Sequence, residues 1–370
     1  MKSFKSIIGV LAACLMLIAS GCGVQQNNGN VGATAPEQET PSGSPEEVQT
    51  LTVMTHDSFS VSEAVAVAFE QEHNAKLVFL KSGDTGSALN RAILSKANPL
   101  ADVFYGVDNT FLTRALEEGI FEPYSSPLLE NIPDEYKLDP DNGALPVDYG
   151  DVCINYDKAW FEQNNLAVPE TLEDLIKPEY NGLLIMENPA LSSTGLAFLL
   201  ATIAHFGEEG YQGYWQSLRE NDVVVVSDWE TAYYTNFSGS SGKGPQPMVV
   251  SYGSSPAAEV IYAEVELTEA PTASITGPDT CFRQIEFVGI LKGTKNRALA
   301  ETFVDFMLSP AFQADMPEQM FVLPVNDQVS LPAVFAENIQ QPEQPAAIDP
   351  ALIAQNREQW INDWTELMLR

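Results

Sequence analysis

Apolar and polar positions alternate along the first third of the chain in two rhythms. Residues 51–54 form a short β-type run, and 61–72 then carries Val61, Val65, Ala68 and Phe69 at helical spacing. Residues 76–80 read as a strand, 87–97 as a helix, 102–106 as a strand, and 111–118 as a helix stopped at Gly119. Strands alternating with helices mark an α/β domain. The apolar-rich run 145–156, interrupted by Asp148, Gly150 and Asp151, exceeds an ordinary strand of about six residues and is long enough to cross between lobes. The alternation then resumes, with strands at 183–186, 223–227 and 248–252 and helices at 195–206 and 211–221. A second extended run, 283–291, would cross back, so the pattern predicts two discontinuous lobes. The amphipathic stretch 297–308 reads as a helix ending at Ser309-Pro310. After a Pro- and Gln-rich segment, Asp349 and Pro350 have the character of an N-cap and first position for a final helix presenting Leu352, Trp360, Trp364 and Leu367.

The N-terminus obeys a different logic. Lys2 and Lys5 precede an apolar run, 7–19, which is followed by the small residues Ala19-Ser20-Gly21 and then Cys22. The run is too short to span a bilayer and has the three-part build of a secretion signal. It resembles a bacterial lipoprotein signal, which makes Cys22 the expected lipidation site. Residues 23–47 consist mainly of Gly, Asn, Gln, Pro, Ser, Thr and Glu and lack the apolar surface to fold, so they read as a tether.

The 370 residues carry a formal net charge of −33 and no basic run, which excludes tracking along nucleic-acid phosphates. With Cys14 in the signal and Cys22 lipidated, Cys153 and Cys281 remain. Outside the cytoplasm an isolated pair favours a disulfide; two buried free thiols are the alternative.

Candidate chemistry gathers in four loops at the ends of expected strands: His56-Asp57-Ser58-Phe59, Gly83-Asp84-Thr85-Gly86-Ser87, the segment 188–195 with Ser192, Ser193 and Thr194, and Ser251-Tyr252-Gly253-Ser254-Ser255-Pro256. Ligands of open α/β sheets bind at such strand ends, and hydroxyls just before a helix offer donors to an anion. Trp229, Tyr252 and Phe321 could present flat faces to a cationic ring. Asp57 and Asp84 could balance its charge or merely cap their turns. The three histidines have no metal-ligand spacing, and no nucleophile elbow, phosphate loop or dinucleotide fingerprint occurs, so an enzyme is not expected and neither a metal nor a cofactor is called for.

Several ordered motifs together resemble the thiamine-binding components of ABC importers. They are Thr55-His56-Asp57-Ser58-Phe59, Leu89-Asn90-Arg91, Gly106-Val107-Asp108-Asn109, Val147-Asp148-Tyr149-Gly150, Ser251 through Pro256, Ser309-Pro310-Ala311-Phe312-Gln313 and Arg357-Glu358-Gln359-Trp360. The resemblance, from about residue 51 to 370, implies an α/β, two-lobed type II periplasmic binding protein fold with a ligand cleft between the lobes and two crossover strands. It implies lobe 1 from residues 49–147 and 275–325, lobe 2 from 148–274, and a C-terminal helical segment, 326–370, packing on lobe 2, behind a signal at 1–21 and a tether at 22–48. The implied ligand is thiamine, its monophosphate or its diphosphate. Its phosphate end would meet Asp84, Thr85, Ser192, Ser193 and the stretch Tyr252, Gly253, Ser254, Ser255, Pro256, while Trp229 stacks on a ring. Thr85 stands where a close relative has glycine, and Phe321 where a tryptophan would complete the clamp. The lobes would close by a hinge at 148–150 and 284–287 and dock on a permease in the cytoplasmic membrane. The protein is expected to be a monomer anchored outside the cytoplasm, at the cell surface or in the periplasm.

Two rival readings follow from single features. Adjacent Tyr233 and Tyr234 are similar to the paired tyrosinates of ferric-ion-binding relatives. Cys153, with Asp151 as base, could serve a thiaminase-like enzyme, whose nucleophile is a cysteine.

Overall fold

The computed structural model describes residues 48–240 and 243–370. The expected signal 1–21, Cys22 and the tether up to residue 47 lie outside the described residues. Among those described, no helix is long and apolar enough to cross a membrane.

Among the described residues eleven strands form one hydrogen-bonded sheet, eight of them along a single path. They are β1 (Gln49–Thr55), β2 (Ala75–Lys81), β3 (Val103–Asp108), β4 (Phe121–Glu122), β5 (Leu145–Asp157), β6 (Leu184–Glu187), β7 (Val224–Val226), β8 (Met248–Tyr252), β9 (Thr272–Ile275), β10 (Phe282–Leu291) and β11 (Leu323–Pro324). The main order is β2-β1-β3-β10-β5-β8-β6-β7, with β4, β9 and β11 paired off this path. Two parallel groups, β2-β1-β3 and β8-β6-β7, each carry helices and form a lobe. They are joined by an antiparallel ribbon of β5 and β10. At 13 residues β5 is long enough to serve both lobes: its first part pairs with β10, and its last part with β8 and β9.

The apolar rhythm explains the burial. β3 and β6 are buried at every position, as strands covered on both faces must be. The helix Ser193–Glu220 is buried from Ser193 through Ile203 and breaks at Gly207, where φ is +71°, a conformation glycine adopts without a Cβ penalty. Its two arms correspond to the two helices read from the sequence. The final helix, Pro350–Leu369, begins where expected, with Asp349 Oδ1 accepting from the Ala351 N–H at 2.8 Å. Its Trp364 meets Trp215 edge-on, with centroids 5.6 Å apart, and its Arg357 guanidinium lies 4.5 Å over the Phe111 ring. The helix therefore touches the second lobe and also reaches the first.

Alternation along the ribbon sorts its side chains by face. Direct pairing of Asp148 with Glu286 and of Gly150 with Gln284 places these four on one face. Tyr149, Asp151, Arg283 and Ile285 occupy the other. Cys153 and Cys281 lie one register step beyond the Val152–Phe282 pair and are joined as a disulfide with Cα atoms 4.2 Å apart.

Candidate ligand-binding site

A cavity of about 660 Å³ opens over the first face of the ribbon. The first lobe contributes His56, Asp57 and Ser58 after β1, and Asp84 and Thr85 after β2. These two loops hold each other: Asp57 Oδ1 accepts from the Gly83 N–H at 2.9 Å. Asp84 is the N-cap of the helix Thr85–Leu94, its Oδ1 accepting from the Thr85 N–H at 2.8 Å. The ribbon supplies Gln284 and Glu286. Gly150 is open enough for the Tyr252 ring to lie against the ribbon, since a Cβ there would come within 2.8 Å of that ring.

The second lobe contributes hydroxyls from Ser192, Ser193 and Thr194 at the start of its long helix, and an aromatic wall. Trp229 donates its indole N–H to Ser251 Oγ at 2.9 Å and stacks on Tyr233, with centroids 5.1 Å apart and planes 17° apart. Tyr233 and Tyr234 sit on a π-helical turn, Thr231–Asn236, whose extra residue per turn turns both rings toward Trp229. The helix Ser255–Ile261, with its C-cap Tyr262, presents Ser255, Ala258, Glu259 and Tyr262 to the cavity, positions spaced to share one helical face. Phe321 closes the rim 5.5 Å from Tyr262, its backbone left-handed at φ +57° and its carbonyl accepting from Ser254 Oγ.

Charge in this cavity is one-sided. Asp57, Asp84, Asp228, Glu230, Glu259 and Glu286 line it, and among the described residues no lysine or arginine does. His56 is its one basic residue among those described; Nε2 lies 3.3 Å from Glu286 Oε1. Burial works against the imidazolium, yet Glu286, with Asp84 and Asp108 behind it, holds the His56 pKa above its ordinary value. Burial likewise opposes ionisation of Glu286, but His56 and hydrogen bonds from Asp148 and Tyr105 outweigh it and keep that carboxyl low. Asp148 goes the other way: burial and the Glu286 charge push its pKa well up. Asp84 is raised by burial despite its backbone hydrogen bond. Burial also takes Asp108, behind Gln284, to about 6, and Glu187, beneath Thr194, to about 8.

Of the residues singled out from the sequence, Asp57, Asp84, Thr85, Ser192, Ser193, Trp229, Tyr252, Ser255 and Phe321 line the cavity. Gly253, Ser254 and Pro256 do not. Gly253 donates to the Asp151 carbonyl at 2.7 Å, Ser254 holds the Phe321 carbonyl, and Pro256 is buried in the first turn of its helix, so these three shape the wall from behind. Sequence reasoning read 284–287 only as a hinge and missed Gln284 and Glu286 as cavity residues, although two polar residues in register within an apolar strand mark a face. It also missed Glu259 and Tyr262, because the short helix that carries them was not foreseen.

The rival sites fare differently. Cys153 is in the disulfide and has no thiol to offer a substrate. Tyr233 donates its hydroxyl to Glu259 Oε1 at 2.8 Å rather than standing free as a metal ligand. Among the described residues no three His, Cys, Asp or Glu side chains converge as a metal site.

Comparison with known proteins agrees with this architecture. Residues 98–356 match the model of a bacterial extracellular solute-binding protein family. The thiamine-binding periplasmic protein of Escherichia coli K12 is 32% identical over 326 residues, covering 86% of this chain and 94% of that protein. The thiamine-binding periplasmic protein of Brucella suis is 32% identical over 323 residues, 85% of this chain and 91% of its own. A solved periplasmic thiamin binding protein superposes with a TM-score of 0.76 at 29% identity, over 89% of this chain and 99% of that one. The lobes, the ribbon and the cleft between them are those of a type II periplasmic binding protein, whose work is capture rather than catalysis, and the chain belongs to the family of bacterial extracellular solute-binding proteins.

Proposed function

We propose that the chain captures thiamine outside the cytoplasm and delivers it to the permease of an ABC importer. The observation that carries this reading is the cavity wall, which among the described residues joins stacked aromatic rings to six carboxyl-bearing side chains with no lysine or arginine. A flat organic cation satisfies both features. Stacking and cation–π attraction on Trp229 contribute on the order of 0.5–2 kcal/mol, and the carboxylates supply the counter-charge. The volume of about 660 Å³ is in the range of small-molecule sites. The names of the similar proteins supply the particular cation.

In this reading Trp229, backed by Tyr233, is the platform for one ring, and Tyr252 and Phe321 flank it. Ser192, Ser193, Ser255 and Thr85 meet the ligand's oxygen-bearing end, and Asp57 and Asp84 complement its charge. Lobe 1 comprises 49–147 and 275–325 and lobe 2 comprises 148–274, and closure bends the ribbon at 148–150 and 284–287. Lipidation of Cys22, after removal of 1–21, would tether a monomer to the membrane surface.

Titration of purified protein, stripped of ligand by unfolding and refolding, tests the reading by calorimetry. Saturable one-to-one thiamine binding is expected, weakened about two- to thirtyfold by Trp229→Ala. Absence of heat with thiamine and both phosphate esters would leave the ligand unassigned.

A further inference from the structure

The cavity suits a positive charge, and one is already seated in its wall. His56 lines the cavity at 7% exposure, with Nε2 3.3 Å from Glu286 Oε1. The pair is a contact of charges, because Nε2 makes no aligned hydrogen bond among the described residues. Carboxyls face the imidazole from the elements packed around it: Glu286 on β10, Asp84 at the start of the helix after β2, and Asp108 at the end of β3. Asp57 follows it in the chain and lines the same wall. The Tyr105 ring of β3 stands 5.8 Å away and donates its hydroxyl to Asp148 of β5. The imidazole is seated against β3 at Gly106, whose φ is +100° and where a Cβ would stand 2.3 Å from His56 Cδ2. Glu286 and the acids behind it keep the His56 pKa above its ordinary value, so the ring is charged near neutral pH.

Thiamine carries its charge on a thiazolium nitrogen that has no proton to give up. Once that fixed cation enters, it and the imidazolium compete for the same carboxylates, and in a cleft that excludes water like charges repel more strongly than in bulk. Of the two, only the imidazolium can become neutral: an N–H bond breaks, the electron pair stays on nitrogen and the proton goes to solvent. We propose that capture is proton-coupled, with His56 holding the electrostatic place of the cargo until the organic cation enters and then releasing its proton. The inference rests on the thiamine reading above and adds regulation to it. By linkage, a proton that binding expels is a proton that opposes binding, so affinity should fall as the medium acidifies.

Calorimetry of thiamine binding at pH 7 in Pipes and in Tris, buffers of different ionisation enthalpy, counts the protons released, and titrations from pH 6 to 7.5 give the linkage independently. Wild type is expected to release about 0.3–0.7 proton per thiamine and to bind about three- to tenfold more tightly at pH 7.5 than at pH 6. In His56→Gln, which keeps a donor toward Glu286, the heat should be the same in both buffers and the affinity flat across that range. Buffer-independent heat in wild type, with binding intact, overturns the inference and leaves the thiamine reading standing. Proton release undiminished in His56→Gln assigns the proton to a carboxyl and overturns the role of His56. Flat titrations of wild type at every pH, on protein shown folded by circular dichroism, overturn the thiamine reading and this inference with it. If His56→Gln does not fold, histidine NMR of wild type decides, since the chain has three histidines and the signals of His73 and His205 are identified by substituting them. The His56 signal should titrate at lower pH with thiamine bound, and an unmoved titration overturns the proposal.

Discussion

The two faces of the β5–β10 ribbon treat charge in opposite ways. On the outer face Arg283 holds Asp151 with two hydrogen bonds, at 2.9 and 3.0 Å, and its guanidinium lies 4.9 Å over the Tyr149 ring, which stacks in turn on Tyr136. The disulfide lies next along the same face. Every charge there has a partner of its own. On the cavity face Asp148 and Glu286 stand together, with Tyr105 within 2.6 Å of the first and 3.0 Å of the second, and His56 as the single cation. The outer face is complete in itself. The cavity face keeps an excess of acid that only protons or a bound cation can relieve, and this difference separates the part that holds the lobes together from the part that takes ligand.

The largest test of this contrast is the pH dependence of stability. Glu187 belongs with the unrelieved acids: its carboxyl ionises near 8 in the folded protein against 4.5 as an ordinary side chain. A carboxyl whose folded pKa is raised binds its proton more tightly when folded, so its contribution is fully present below pH 4.5 and is lost as pH rises through 8. The loss between those limits is on the order of 5 kcal/mol, at about 1.4 kcal/mol per pH unit. His56 and Asp108, both raised, act in the same direction, and Glu286, held low, acts against them at the acid end. Glu187→Gln keeps an acceptor for Thr194 and removes the titration. Urea denaturation at steps from pH 5 to 8 should show the variant gaining on wild type as pH rises. A constant difference across that range would place Glu187 among the paired charges.

The outer face should respond to truncation where the cavity face responds to pH. Arg283→Met leaves Asp151, whose side chain is 4% exposed, buried without its partner. Removing one member of such a pair is expected to lower stability by about 3 kcal/mol, less than for a fully buried pair because Arg283 retains some solvent contact. Thiamine affinity of the folded variant should change little, since Arg283 does not line the cavity. A large loss of affinity with stability intact would mean that the two faces are not separate in function.

The sequence made the scaffold readable because the scaffold is local. The strand at 248–252, the helix at 297–308 and the cap at Asp349 appear within a residue of where spacing and capping put them. The long run at 145–156 was legible as a crossing because its length and its polar interruptions are properties of one segment. The site was only half legible. Loops with Asp84, Ser192 or Trp229 announce themselves by composition, but Glu286 matters through His56, Tyr105 and Asp148, which come from three other segments of the chain. The strand at 272–275 and the helix at 255–261 were not foreseen: four residues and seven carry too little periodicity to rise above their neighbours.

The smallest expected effect is also the one most specific to the cavity face. The Tyr105 hydroxyl has one proton and two carboxyl neighbours, so the link between Asp148 and Glu286 must be carried by a proton on one of them. Burial and the Glu286 charge assign that proton to Asp148, and the His56 imidazolium keeps Glu286 ionised. In Asp148→Asn the amide can donate to Glu286 and accept from Tyr105, reproducing the neutral acid. Stability near pH 7 should therefore change by no more than about 1 kcal/mol, although the residue is fully buried at the junction of the lobes. Above neutrality the variant should overtake wild type, because it has no proton to lose. A loss of several kcal/mol at pH 7 would show that Asp148 is charged in the folded protein, and the cavity face would then be held together by ion pairing as the outer face is.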